Sequence, residues 1–156
     1  YEKIISMSNT DFRSTMGCFV TGVTVVTATD KNDFVGVTAN SFSSVSLDPP
    51  LVLWSISKDS QKHATMINAK NFVINILSKN QENIAKTFTG NEKPFLKINY
   101  SLNTFGVPVI SNVVAVIECE LHHVYDGGDH SIILGLVTLC NKSNLKPLMF
   151  FRGKFS

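Results

Sequence analysis

Gly36 to Leu51 read G-V-T-A-N-S-F-S-S-V-S-L-D-P-P-L, a run rich in small hydroxyl and amide side chains where a β-rich chain would carry Val and Ile. Thr38, Asn40, Ser41, Ser43 and Ser44 therefore need polar partners, either backbone groups or a ligand. Upstream, Thr21 to Thr29 is rich in β-branched residues, breaks at Asp30-Lys31-Asn32-Asp33 and resumes at Phe34 to Val37, which predicts a β-hairpin leading into the polar run. Downstream, Pro49-Pro50 cannot donate backbone hydrogen bonds and forces an extended start to Leu51 to Ile56, whose unbroken apolar run predicts a buried strand.

The flanking segments continue this pattern. Ser8, Asn9 and Thr10 offer caps before Phe12, Met16 and Phe19 at helical spacing, which predicts a short opening helix. Ser60 is a candidate cap for a helix reaching Ala69, with Ala64, Met66 and Ile67 on its inner face. Phe72 to Leu77 is a strand. Ser78 and Gln81 have the form of a capping box opening a helix with Ile84, Ala85 and Phe88 inward, ending near Gly90. From Val113 the period becomes two, placing Ala115, Ile117, Cys119, Leu121 and Tyr125 on one face and Glu118, Glu120 and His122 on the other. Gly127-Gly128 turns that strand into Ser131 to Asn141, and Leu148 to Phe151 supplies a last one.

The count is about six or seven strands with about two or three short helices and no regular strand-helix alternation. This predicts a mainly β fold, a closed antiparallel barrel rather than a doubly wound parallel sheet. No G-x-G-x-x-G is present, which argues against a Rossmann dinucleotide domain.

Composition narrows the function classes. The 156 residues read as one domain, 1–156, long enough to bury a sizeable core. A hydrophobic fraction of 44% against 17% charged residues is rich for a small monomer and points to a homodimer that covers apolar surface. A net charge of +2 without a Lys/Arg block argues against nucleic-acid binding. Cys18, Cys119 and Cys140 are odd in number and lack C-x-x-C spacing, so neither a disulfide framework nor a zinc site is expected, and a reducing cytoplasm fits. Tyr1 to Asp11 lacks the basic start and apolar core of a leader, and no stretch approaches the ~20 apolar residues of a membrane span.

Several ordered motifs together resemble the flavin reductase-like family, whose members bind FMN or FAD in an FMN-binding split barrel. The polar run at Gly36 to Leu51 is one. Phe19 to Thr27, F-V-T-G-V-T-V-V-T, looks like the family's first barrel strand, and Phe72 to Ser78 with Gln81 to Phe88 matches its strand-then-helix segment. Gly128-Asp129-His130-Ser131-Ile132 is similar to the motif that meets the nicotinamide, and Phe150 to Phe155 looks like the closing strand. The likeness spans roughly the whole chain, with residues 91–112 the least diagnostic.

The resemblance implies an NAD(P)H:flavin oxidoreductase that transfers hydride to FMN or FAD, often as the small reductase of a two-component monooxygenase with a separate oxygenase partner. It leaves open FMN or FAD, and NADH or NADPH. Thr38, Ala39, Asn40 and Ser41 would line the isoalloxazine and ribityl chain. Ser55, Ser57, Lys58, Ser60 and Lys62 stand where a strand gives way to a helix, the implied phosphate site, at which two or three of them would make contact. Phe88 and Phe151 would wall the flavin, Arg152 would pair with a phosphate or carboxylate, and His130 would place the nicotinamide.

Each assignment has a plainer alternative. Asn40 and the serines would also cap a bend or bulge at a sheet corner, Ser60 would also be a helix cap, and Lys58 and Lys62 would also be solvated. The Phe residues and Trp54 would also be core, His63 a helix-surface residue, and His130 a turn residue bonded to Asp129. His122 and His123 lack partners at metal-ligand spacing, so no metal site is expected. Two further functions stay open: a flavoprotein that retains its FMN and reduces another acceptor, and a flavin-binding module without reductase activity.

Overall fold

A computed structural model describes residues 7–31, 33–90 and 93–156. Asn32 of the hairpin turn and the first six residues of the N-terminal segment lie outside the described residues. The opening helix α1 (Asn9–Met16) forms as expected. Ser8 caps it reciprocally: its Oγ accepts from Asp11 N at 3.1 Å while Asp11 Oδ2 accepts from Ser8 N at 3.4 Å. None of the residues of α1 is buried, and Phe12, Met16 and the following Phe19 stay exposed.

The predicted strand at Thr21 to Thr29 divides at Val23 into β1 (Thr21–Gly22) and β2 (Thr24–Asp30), and β3 (Asp33–Ala39) returns along β2. Val23 to Ala28 are all buried because β2 has core on both faces. Val26 and Ala28 point into one apolar cluster, while Val23 and Val25 join a second. An unbroken β-branched run is what a strand covered on both sides requires.

β4 (Ser43–Leu47) and β5 (Pro50–Ser57) form the next hairpin. β5 alternates, with Val52, Trp54 and Ile56 in the core and Leu51 and Leu53 half-buried, so its apolar run marks one buried face rather than two. Ser43 and Ser44 lie on the exposed edge strand β4, where Ser43 Oγ donates to Ser44 O at 3.0 Å. After α2 (His63–Asn68) and β6 (Asn71–Ile76), a 3₁₀ turn at Lys79–Gln81 leads into α3 (Glu82–Thr87). The predicted capping box is present, with Ser78 N donating to Gln81 Oε1 at 2.9 Å. On α2, Met66 is buried but Ala64 is exposed, a correction to the expected inner face.

The short hairpin β7 (Tyr100–Leu102) and β8 (Pro108–Ile110) precedes two long strands, β9 (Ala115–Gly127) and β10 (His130–Lys142). The last two strands, β11 (Met149–Phe151) and β12 (Lys154–Phe155), form a hairpin where one closing strand was expected. The register between β9 and β10 passes from His123↔Leu134 to Leu121↔Gly135, so His122 is an extra residue on β9. Such a bulge reverses the facing of everything beyond it. Tyr125 is consequently exposed, not on the inner face with Cys119 and Leu121.

Seven strands join in the order β3-β2-β6-β9-β10-β5-β4, all pairs antiparallel. One apolar cluster collects Val26, Ala39, Trp54, Ile56, Phe72, Ile74 and Ile133 from five of these strands, so the sheet curls around it. The sheet does not close into the predicted barrel: its ladder ends at β3 on one side and β4 on the other. The physical reason lies in the short link Asn40–Phe42. It sends the chain straight into β4, which takes the outer edge of β5 only as far as Leu53. Beyond that point Ser41 stands in for a ladder partner, its Oγ accepting from Ser55 N at 2.9 Å and donating to Ser55 O at 3.1 Å. Among the described residues no helix is long and apolar enough to cross a membrane.

Candidate flavin and nicotinamide site

The open seam between β3 and β5 is a cleft of three adjoining chambers that share Thr38. The central one, about 270 Å³, lies between Thr38 to Ser41 on one side and Ser55, Ser57 and His130 on the other. A second, about 510 Å³, reaches along Ser57, Ser60 and Lys62 to Phe88 and Gly90. A third, about 180 Å³ and mostly apolar, is walled by Val23, Phe150 and Phe155 beside Ala39 and Asn40.

On the β3 side, the hydroxyls are committed to the fold. Thr38 Oγ1 donates to Ala85 O at 2.6 Å, tying β3 to α3, and Ser41 bridges to Ser55. Asn40 is exposed at the cleft and its side chain makes no hydrogen bond among the described residues, so its amide is free to read a ligand edge. Gly36, two residues before Thr38, admits Phe88: a Cβ there would lie 2.4 Å from the Phe88 ring. Phe88 is 1% exposed and packs edge-on against Phe95 at 5.1 Å, so it underlies the cleft floor as core.

The loop from Ser57 to Lys62 is built differently. Ser57 Oγ accepts from Asp59 N at 3.3 Å, and Ser60 Oγ accepts from Lys62 N at 3.2 Å. Both oxygens serve as acceptors, so both O–H groups remain able to donate outward, the polarity a phosphate needs. Ser60 does not cap α2, whose N-cap position is Lys62. Lys62 Nζ donates to Phe88 O and Gly90 O, each at 3.2 Å, and burial lowers the pKa of its ammonium below the ordinary lysine value. A half-desolvated ammonium with a third N–H at the cleft gains from an incoming anion.

His130 begins β10 opposite Ser57, and its Nδ1 lies 2.7 Å from Asp129 Oδ1. The hydrogen bond to His130 holds the Asp129 carboxyl below the usual carboxylate range, so Asp129 accepts and His130 Nδ1 donates. The His130 ring lines the central chamber, and its Nε2 makes no hydrogen bond among the described residues.

The other predicted site residues divide between the cleft wall and places away from it. Ser55 is half-buried on the cleft wall with its N–H and carbonyl taken by Ser41. Lys58 Nζ is bound to Asp126 at 2.5 Å and lines none of the three chambers. Arg152 and Phe151 are not brought to the cleft within this chain. Arg152 lines a separate cavity of about 480 Å³ with Arg13 and Cys18 at the end of α1, and its guanidinium lies 5.1 Å over the Phe151 ring. Their neighbours Phe150 and Phe155 face the cleft instead. Strand alternation would separate Phe150 from Phe151, but deciding which one faces inward requires the pairing Thr21↔Phe150↔Phe155. Trp54 is fully buried in the core, as the plainer reading had it. His63 shares a hydrogen bond with Ser131 Oγ at 2.9 Å, a contact the sequence did not signal.

The residues fit a flavin: an aromatic apolar wall, a free amide, and a hydroxyl-and-ammonium loop at one end. Comparison with known proteins agrees with that geometry. An FMN reductase (NADH) from Agrobacterium fabrum is 45% identical over 92% of this chain and 83% of its own length. The reductase subunit of a flavin-dependent monooxygenase from Rhodococcus jostii is 36% identical over 93% and 75%. The structure of a Streptomyces globisporus NADH:FAD oxidoreductase, in complex with NAD and FAD fragments, superposes with a TM-score of 0.92 at 36% identity, covering 100% of this chain and 96% of that one. Two other curated relatives are longer, and the chain spans 47% of each. The flavin reductase like domain matches residues 16–156, and the chain belongs to that family.

Proposed function

We propose that the protein is an NADH-dependent flavin reductase that hands reduced flavin to a separate oxygenase. The observation that carries this reading is the cleft itself, with hydroxyl and ammonium donors at one end, an aromatic wall at the other and an imidazole between them. Ser57, Ser60 and Lys62 would hold the flavin phosphate, Asn40 and the 38–41 backbone the polar ring edge, and Phe150 and Phe155 the apolar end. Nε2 of His130 would accept from an amide such as the nicotinamide carboxamide. Bound flavin would supply the redox chemistry, taking up the hydride that the nicotinamide gives. The protein's part is stacking, orientation and exclusion of water, none of which calls for a nucleophile or an acid–base step. The names of the relatives support NADH as donor and an oxygenase as recipient.

We also propose a homodimer. The apolar side of α1, where no residue is buried, together with exposed Met149 and Phe151 gives a second copy a surface to cover. A monomer mass in sedimentation would remove this proposal. The activity is tested by anaerobic stopped-flow at the flavin band, mixing protein and FMN with NADH and then NADPH. Rapid bleaching with NADH is expected. Bound FMN that never bleaches would overturn the reductase reading in favour of a binding module.

A further inference from the structure

We infer that His63 and Lys58 are positioning residues, which lock the turn carrying His130 onto the loop that ends the cleft; the inference rests on the reductase reading above. Three links converge on this turn from one short segment. His63, at the start of α2, shares a 2.9 Å hydrogen bond with Ser131 Oγ, and Ser131 is only 6% exposed. Lys58 N donates to Asp129 O at 2.9 Å. Lys58 Nζ pairs with Asp126 Oδ1 at 2.5 Å.

The strand geometry explains why the side-chain link from His63 matters. Successive side chains on β10 point to opposite faces, so His130 lines the cleft while Ser131 turns toward α2. The bond at Ser131 therefore anchors the backbone one residue from the group facing the ligand. A half-buried bond to a buried hydroxyl resists competition from water, whereas the Lys58–Asp126 pair is exposed at 42% and 79% and contributes less. His63 is the dominant anchor of the two. Lys58, whose ammonium and amide both face the turn, is thereby assigned away from the flavin phosphate.

The test compares His63→Phe, which keeps the ring volume but loses the bond, with His63→Gln, whose amide nitrogen reaches the place of Nε2. For each, the KM for NADH, the FMN Kd by fluorescence quenching, and amide hydrogen exchange across residues 127–132 are measured. In His63→Phe the KM for NADH rises about fivefold, the size expected from losing one buried hydrogen bond. FMN Kd stays within about twofold, and exchange quickens at the turn alone. His63→Gln restores the KM. An unchanged KM in His63→Phe overturns the inference, as does an FMN Kd that rises in step, since His63 would then belong to the flavin site. Wild-type protein that fails to bleach FMN with NADH would defeat the reductase reading instead, and the exchange measurement would still decide whether His63 holds the turn.

Discussion

Two hydroxyl-rich stretches face each other across the seam, and they orient their hydroxyls in opposite senses. In Thr38 to Ser41 the hydroxyl protons go to protein carbonyls, Ala85 O and Ser55 O. In Ser57 to Lys62 the hydroxyl oxygens accept from backbone N–H groups, and the protons remain for something outside the chain. Composition makes the two stretches look alike, yet the first is bonded into the cleft wall and the second leaves its hydroxyl donors open. Only Asn40 in the first stretch keeps a free polar group for the ligand.

The sharpest way to break this contrast is at Asn40. Asn40→Leu removes the free amide and puts a branched side chain at the junction of two chambers, so FMN binding is lost beyond about tenfold by fluorescence titration. Retained affinity would take residues 38–41 out of the site altogether. Lys62→Met tests the opposite wall. It weakens FMN by about tenfold, the worth of a charge-assisted hydrogen bond, while leaving riboflavin, which lacks the phosphate, unchanged. Equal losses for both ligands would show that Lys62 matters only through its bonds to Phe88 and Gly90.

The smallest of the three effects concerns how the β3 wall is supported. Gly36→Ala places a methyl 2.4 Å from the Phe88 ring, and relief of that overlap costs about 1–3 kcal/mol. Thermal unfolding should fall by several degrees, with FMN affinity falling less than in Asn40→Leu. A variant as stable as wild type would mean that α3 shifts freely and that the cleft floor is not set by this contact.

Much of the fold was legible because its signals are local. The caps at Ser8 and Ser78, the hairpin at Asp30, and the two long strands about Gly127-Gly128 each depend on residues a few positions apart. Where expectation and structure part, the deciding contact is distant. Tyr125 faces outward because of a bulge at His122 that only the β10 register reveals. The seam stays open because β4 stops short along β5. Phe151 and Arg152 lie away from the cleft because β11 pairs with β1 in a register that turns Phe150 inward.

The sequence by itself determined the element types, the mainly antiparallel character and the two polar stretches at which a ligand would be met. It did so because hydrophobic period, capping residues and turn residues act within a few positions of themselves. Tertiary structure alone decided which hydroxyls are consumed internally, that Lys58 pairs with Asp126, and that His63 reaches Ser131. Those outcomes depend on which carbonyl, carboxylate or hydroxyl arrives opposite each side chain, and strand register across dozens of residues sets that.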